Sequence, residues 1–328
     1  MQNRIGENTL IGISYKMNQK PYRLLTRSDL DGLICAVLLK HLKMVDQIQL
    51  IDHPSVMQEG GVVVSQNDII ANLPFVPGAF MAFDHHVSET IRNREQKNLV
   101  IDADAPSAAR VIYEYYGGRS KFPRHFDEIM EAVDKADSGQ FSRREILHPT
   151  GWALLNFLVD KRTGIEDWCR FAISEQEFKR RLIDWIAELS IDKVLALPDV
   201  SQRAEMYFQY AEKYKQQLVS FAEVHHNIVL IDCRERQSGY PGNRFVVYAL
   251  YPNCNISVQL KQEPDTGKTT FSVGKSIINN TSAVNIGELM LKYGGGGHRA
   301  AGACHVPAQD AREVLAQLLQ NLSDPEKV

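Results

Sequence analysis

Asp84-His85-His86 puts a carboxylate and two imidazoles directly after an apolar run, residues 79–83. A neutral imidazole beside a carboxylate suits Mn, Fe, Co or Zn, whereas an all-oxygen set suits Mg or Ca. The motif points to a transition-metal site, the alternative being a solvated Asp-His-His turn. Carboxylates at equivalent places elsewhere decide between the two. Arg27-Ser28-Asp29-Leu30-Asp31-Gly32 supplies a pair at i and i+2, which point the same way from an extended backbone. One of them can N-cap a following helix, but a cap uses only one Asp. Asp134-Lys135-Ala136-Asp137-Ser138-Gly139 sets two further acids beside a glycine turn, with an exposed capping turn as its other reading. Asp68 is expected at the end of a third strand, Val62-Val63-Val64, and Asp52 is the weaker candidate for the same position.

These residues need a frame that brings distant strand ends together. Residues 21–26 read as a strand and residues 33–42 as a largely buried helix, with Gly32 turning the chain between them. Residues 47–51 read as the second strand and residues 79–83 as the fourth. Strands alternating with helices at this spacing imply βαβ units and a parallel sheet. In such sheets ligands sit beyond the carboxyl ends of the strands, which is where the acids fall. Residues 104–110 open a helix, with Pro and Ser at its start, that stops at Gly117-Gly118, and a further helix leads into Asp137. From 165 to 197 the aromatic residues fall at helical spacing and read as core. Residues 201–224 look like a long connecting helix, with His225-His226 at its C-terminus.

The remainder reads as a second α/β unit, with strand candidates at 228–231, 245–251, 256–260 and 269–273 and a hairpin turn at 263–268. A helix near 285–291 precedes Gly294-Gly295-Gly296-Gly297-His298-Arg299. Four consecutive glycines cost backbone entropy, and they are explained if bare N–H groups approach an anion, with His298 and Arg299 beside them. A flexible linker is the other reading, though a linker would not lead into Ala-Ala-Gly-Ala and a closing strand.

The chain has 328 residues, room for two domains of ordinary size. Its 44% apolar and 23% charged content is that of a soluble globular protein. With 37 basic against 40 acidic residues and a net charge of −3, it has no polybasic field for long duplex nucleic acid, while a short anionic substrate fits. No apolar run approaches the ~20 residues that span a bilayer, and no signal peptide is evident, so a cytoplasmic location is expected. The five cysteines are scattered, which argues against a disulfide framework or a thiolate zinc site.

Asp29-x-Asp31, Asp68, Asp84-His85-His86, Asp137-Ser138-Gly139 and the glycine run to Gly302, in this order, resemble the DHH phosphoesterase family with its DHH-associated C-terminal domain. That family holds RecJ-like exonucleases, oligoribonucleases that also act on phosphoadenosine phosphate, cyclic dinucleotide phosphodiesterases and exopolyphosphatase-related proteins. The resemblance runs from about Tyr22 to about Val306. It implies an α/β fold with an N-terminal parallel-sheet DHH domain (residues 1–198), a helical connector (199–226) and a smaller C-terminal α/β domain (227–328), the active site lying in the interdomain cleft. It further implies two Mn ions, with Mg or Co as alternatives. Asp29 and Asp68 would bind one, Asp31, Asp68, His85 and Asp137 the other, and Asp68 would bridge them. His86 would contact phosphate and Asp84 would orient a histidine. Gly295, Gly296, Gly297, His298 and Arg299, with Lys275 and Ser276, would hold the substrate's terminal phosphate or nucleotide.

The implied reaction is hydrolysis of short phosphodiesters, such as oligoribonucleotides or phosphoadenosine phosphate, by water activated between two cations. A homodimer is compatible with this, and membrane association is not expected. The alternatives are an exopolyphosphatase and a catalytically impaired nucleotide-binding module. Two departures from the family pattern bear on the choice. Arg27 and Leu25 stand where the family has a histidine, and arginine cannot serve as a ligand. Lys275-Ser276 stands where the family often has Arg-Ser, so a point charge replaces a bidentate fork.

Overall fold

The structure, a computed structural model, describes residues 20–93, 95–235, 239–263 and 266–323. Five strands, β1 (Tyr22–Arg27), β2 (Val45–Ile51), β3 (Asp68–Ala71), β4 (Met81–Asp84) and β5 (Leu99–Ile101), form an all-parallel sheet in the order β2-β1-β3-β4-β5. Alternation along the strands divides their side chains between two faces. Leu24, Ile69 and Phe83 enter a large core, and Leu25, Ile70 and Ala82 a smaller one behind the sheet. The apolar run after Gly32 becomes helix α1 (Leu30–His41), in which Leu33 through Leu39 are at most 1% exposed. Each such leucine contributes about 1.5–3 kcal/mol of burial.

Short helices α2 (Ser55–Gln58) and α3 (Val87–Arg92) are followed by α4 (Ala108–Tyr115) and α5 (Phe126–Asp137), which pack on α1. Then come α6 (Arg143–Leu147), α7 (Gly151–Val159), α8 (Ile165–Trp168), α9 (Glu175–Glu188), α10 (Ile191–Leu195) and the long α11 (Pro198–Phe221). The aromatic residues of this region pack as core. Phe171 and Phe178 flank the guanidinium of fully buried Arg203, whose Nε donates to Glu166 Oε1 at 2.6 Å.

The second sheet is mixed. Its strands are β6 (Ala222–His225), β7 (Ile228–Asp232), β8 (Ile256–Gln262), β9 (Lys268–Lys275), β10 (Gly296–His298) and β11 (Ala301–Pro307), in the order β10-β11-β9-β8-β7-β6. Only β7 and β8 run parallel among these pairs. Helices α12 (Val246–Leu250), α13 (Ile286–Leu291) and α14 (Ala311–Ser323) complete the chain order, and Ile286, Leu289 and Leu318 fill the core of this sheet.

Three element readings need correction. Residues 62–64 form no strand: Val63 is 84% exposed, and the third strand is Asp68–Ala71, whose residues are all buried. Residues 245–251 hold helix α12, not a strand. The long helix stops at Phe221, so His225 ends β6 and His226 makes the turn to β7 with φ of 54°. Part of the expected hairpin turn, Pro264-Asp265, lies outside the described residues.

The two sheets meet through the segment before α12. Asn243, 1% exposed, donates from Nδ2 to the Ile146 carbonyl at 3.0 Å and to Tyr207 Oη at 2.7 Å. Gly242 N donates to the Thr163 carbonyl at 2.9 Å, and Phe245 packs on Phe141 and Phe157. Among the described residues, no helix is long and apolar enough to cross a membrane.

Candidate metal centre

The strand order reverses direction at β1, between β2 and β3, the place where open parallel sheets bind ligands. The turn from β1 into α1 is tight. A Cβ on Gly32 would sit 1.9 Å from the Arg27 carbonyl oxygen, so only glycine fits. Asp29 caps α1, its Oδ1 accepting from Gly32 N at 3.1 Å. That leaves Asp31, 2% exposed, to receive the first N–H groups of α4: Ala108 N at 3.0 Å and Ala109 N at 2.8 Å.

Asp137 arrives on the last turn of α5, which is tied to α4 where Ser107 Oγ and Arg110 Nε donate to Asp134 at 2.7 and 2.9 Å. His85 follows β4. Asp31, His85 and Asp137 then offer ligand atoms that all lie within 4.8 Å of one another. Among the described residues it is the one such group of three.

The donors fit a transition-metal ion. His85 Nδ1–H donates to the Ala105 carbonyl at 3.1 Å, so that Nε2 is the nitrogen that carries the lone pair once the imidazole is neutral. That Nε2 is buried, 3.1 Å from Asp137 Oδ2, without the alignment of a hydrogen bond. Burial, then the charge of Asp137, pushes the Asp31 carboxyl well above the usual range. Burial alone would lower His85, but nearby Asp137 and Asp31 raise it to about 9. A divalent ion would relieve both strains, since it displaces the imidazole proton and neutralises the carboxylates.

His86 is held differently. Its Nδ1–H donates to Asp84 Oδ1 at 2.7 Å, and the same oxygen accepts His85 N at 2.8 Å. Asp84 is 1% exposed and is joined through Oδ1 to the His85 backbone and to the His86 ring.

Asp68 is not brought to this cluster. It opens β3 instead of closing it, opposite Arg23 in the parallel register, and accepts from Arg23 Nε at 2.6 Å and Ser65 N at 2.7 Å. At ~3.3 Å rise per residue the carboxyl end of β3 lies ~13 Å away. The residue there is Asn72, which sequence reasoning missed; it was legible only if the strand had been placed on Ile69-Ile70-Ala71. Asn72 has φ of 54°, and its Nδ2 donates to Asp29 Oδ1 at 3.1 Å. Asp52 does reach the carboxyl rim but is engaged by Ser28 Oγ and, at 3.2 Å, by Lys161 Nζ.

Arginines surround Asp29. Arg27 Nε lies 3.0 Å from Asp29 Oδ2, and the charges of Arg27 and Arg162 oppose the rise that burial imposes on this carboxyl. Arg162 is clamped by Asp160 through Nε at 2.7 Å and Nη2 at 2.8 Å. Arg244, from the segment before α12, is pushed down to about 10 by burial and by the charge of Arg162. Nothing in the local sequence marks Arg162 or Arg244; tertiary docking alone brings them here.

In the second sheet Lys275 and Arg299 come together. Burial first, then the charge of Arg299, lowers the Lys275 amine, whose Nζ donates to the Ser282 carbonyl at 3.0 Å. Ser276, 1% exposed, instead uses Oγ to accept Ile278 N and Asn279 N. The glycines have reasons of their own. Gly294, φ 72°, and Gly295 donate to the Leu291 and Met290 carbonyls and end α13 in a Schellman-type turn. A Cβ on Gly295 or Gly297 would lie 2.1 or 2.3 Å from a carbonyl oxygen of β11. Two of the four N–H groups are therefore engaged by α13, and a Cβ would meet nothing within 4 Å at Gly294 or at Gly296. The side chain of His298 lies outside the described residues. This patch adjoins the metal cluster: a Cβ on Gly139, two residues after Asp137, would meet Ile277 at 3.3 Å.

An acid-imidazole cluster at a parallel-sheet rim, faced by cations from a second α/β unit, defines a metal-dependent phosphoesterase. The chain is 48% identical to a solved structure described as the pGpG-specific phosphodiesterase PggH from Vibrio cholerae, with a TM-score of 0.79, covering 92% of this chain and 99% of that one. With that likeness the chain belongs to the DHH phosphoesterase family. RecJ in complex with Mn2+ from Thermus thermophilus shares the fold at 14% identity and a TM-score of 0.54, over 93% of this chain and 52% of that one. No protein-family model and no curated protein matches the sequence.

Proposed function

We propose that the enzyme hydrolyses the phosphodiester bond of a short, phosphate-terminated dinucleotide of the pGpG kind, using a divalent cation of the manganese type. The observation that carries this reading is the 48% identity, over nearly the whole of both chains, to a pGpG-specific phosphodiesterase. Asp31, His85 and Asp137 would hold the cation, which when bound lowers the pKa of water and neutralises charge on the phosphoryl oxygens. Asp84 keeps His86 Nδ1 as donor, so that Nε2 is the nitrogen presented to the phosphate. Lys275 and Arg299 grip the terminal phosphate and position the scissile bond.

The test is incubation in Mn buffer with pGpG, with tetra- and pentaribonucleotides and with polyphosphate. Conversion of pGpG to mononucleotides, with the longer substrates largely intact, is expected. Rapid polyphosphate hydrolysis alongside intact pGpG overturns the reading.

A further inference from the structure

We propose that this centre works with one divalent cation, and that the guanidinium of Arg27 supplies the positive charge a second cation would bring. The proposal deepens the phosphodiesterase reading and rests on it for the reaction, but not for the ion count. A pair of ions needs two sets of anionic ligands and a group that bridges them. Among the described residues the structure offers one set, Asp31, His85 and Asp137. The carboxylate that would found the second, Asp29, is already engaged on both oxygens. Oδ1 accepts Gly32 N and Asn72 Nδ2, each at 3.1 Å, and Oδ2 faces Arg27 Nε at 3.0 Å.

The bridging place fails as well. At the carboxyl end of β3 stands a neutral amide, held in a left-handed conformation and turned with its nitrogen toward Asp29. Its Oδ1 is buried without a hydrogen-bond partner, and as a neutral amide oxygen it carries no charge to share between two ions. Arg162 adds further positive charge felt by both Asp29 and Asp137. A second dication would thus meet fixed cations in place of ligands. Arginine keeps its proton throughout, and a planar fork anchored on Asp29 is preorganised for a phosphoryl oxygen that gains charge in the transition state.

The count is read without substrate. Mn(II) titration of the full chain by calorimetry and electron paramagnetic resonance should give one ion per chain and an uncoupled spectrum. Two spin-coupled ions on the wild-type chain overturn the proposal. The double variant R27H/N72D, which supplies an imidazole and a bridging carboxylate, should gain a second ion and a coupled signal; a folded double variant that still binds one shows that these residues do not exclude the second ion. R27Q should keep one ion and a wild-type circular dichroism spectrum while losing about 100-fold or more in kcat on pGpG. R27K should recover part of the loss. A kcat for R27Q within twofold of wild type removes the charge role. A wild-type enzyme that ignores pGpG but cleaves another phosphodiester changes the substrate and leaves the ion count standing.

Discussion

Asp31 is nearly inaccessible to water and still accepts two N–H groups from α4, so its carboxyl oxygens cannot turn away from the cluster without leaving those donors unsatisfied. His85 is locked by the Ala105 carbonyl in the same way. H85A or D137N should therefore abolish tight Mn binding in calorimetry, with activity lost in parallel. D68A should do the opposite. It leaves the Arg23 guanidinium and Ser65 N–H without their partner at the far end of the strand, at a cost of about 1–3 kcal/mol in urea unfolding, with Mn binding unchanged. Loss of Mn by D68A would return Asp68 to the metal site. The contrast shows what the sequence could carry. Asp31, His85 and Asp137 were legible because each stands beside a glycine turn or in an acid-imidazole run. Asn72 was not, because Val62-Val63-Val64 carries a stronger β signal than Ile69-Ile70-Ala71 and a strand placed there makes Asp68 its carboxyl end. Burial, which sequence does not print, decides against it.

Among the elements, α5 and α6 fix Asp137, the last of the three candidate ligands. Lys135, two residues before Asp137, pairs with Glu145, and Glu145 Oε2 accepts Ser142 N at 2.9 Å and Ser142 Oγ at 2.7 Å in a capping box that opens α6. Burial would raise the Glu145 carboxyl, but Lys135 and Ser142 outweigh it and hold it at about 2, below its ordinary 4.5. A carboxyl depressed in the folded state stabilises above its unfolded pKa and loses that contribution as pH falls toward its folded value. The gap in unfolding free energy between wild type and E145Q should be about 1 kcal/mol, discounted for partial exposure, above pH 4.5, and should close between pH 4.5 and about 2. A gap that persists at pH 2 would make the contribution one of packing. The neighbouring helix α12 shows where periodicity fails. Phe245-Val246-Val247-Tyr248 favours strand by propensity, yet the segment is helical because Asn243, Gly242 and Phe245 are pinned to the first unit and its apolar residues pack all round.

Across the whole molecule, bond cleavage and substrate grip belong, on the proposed reading, to different sheets. The metal cluster stands on the parallel sheet and α5, and the Lys275–Arg299 patch on the end of β9 and the β10–β11 hairpin; the two approach where Ile277 meets Gly139. The glycine run was legible as special, and the structure adds local reasons for it: Gly294 and Gly295 end α13, and Gly295 and Gly297 pack closely on β11. On the proposed reading phosphate recognition then falls to the cations flanking it, and a contact remote from the scissile bond contributes binding and orientation. R299A should raise KM for pGpG about tenfold or more, the loss expected for one charge-assisted hydrogen bond of about 1.5–3 kcal/mol, and leave kcat close to wild type. A small activated diester such as bis(p-nitrophenyl) phosphate reaches the metal cluster without touching the second sheet, so its hydrolysis should change little. Replacement of Gly297, whose Cβ would strike β11, should unsettle the hairpin and impair pGpG more than R299A does. Equal loss on both substrates for R299A would place the arginine in the chemistry, and an unchanged KM for pGpG would remove the patch from the substrate site.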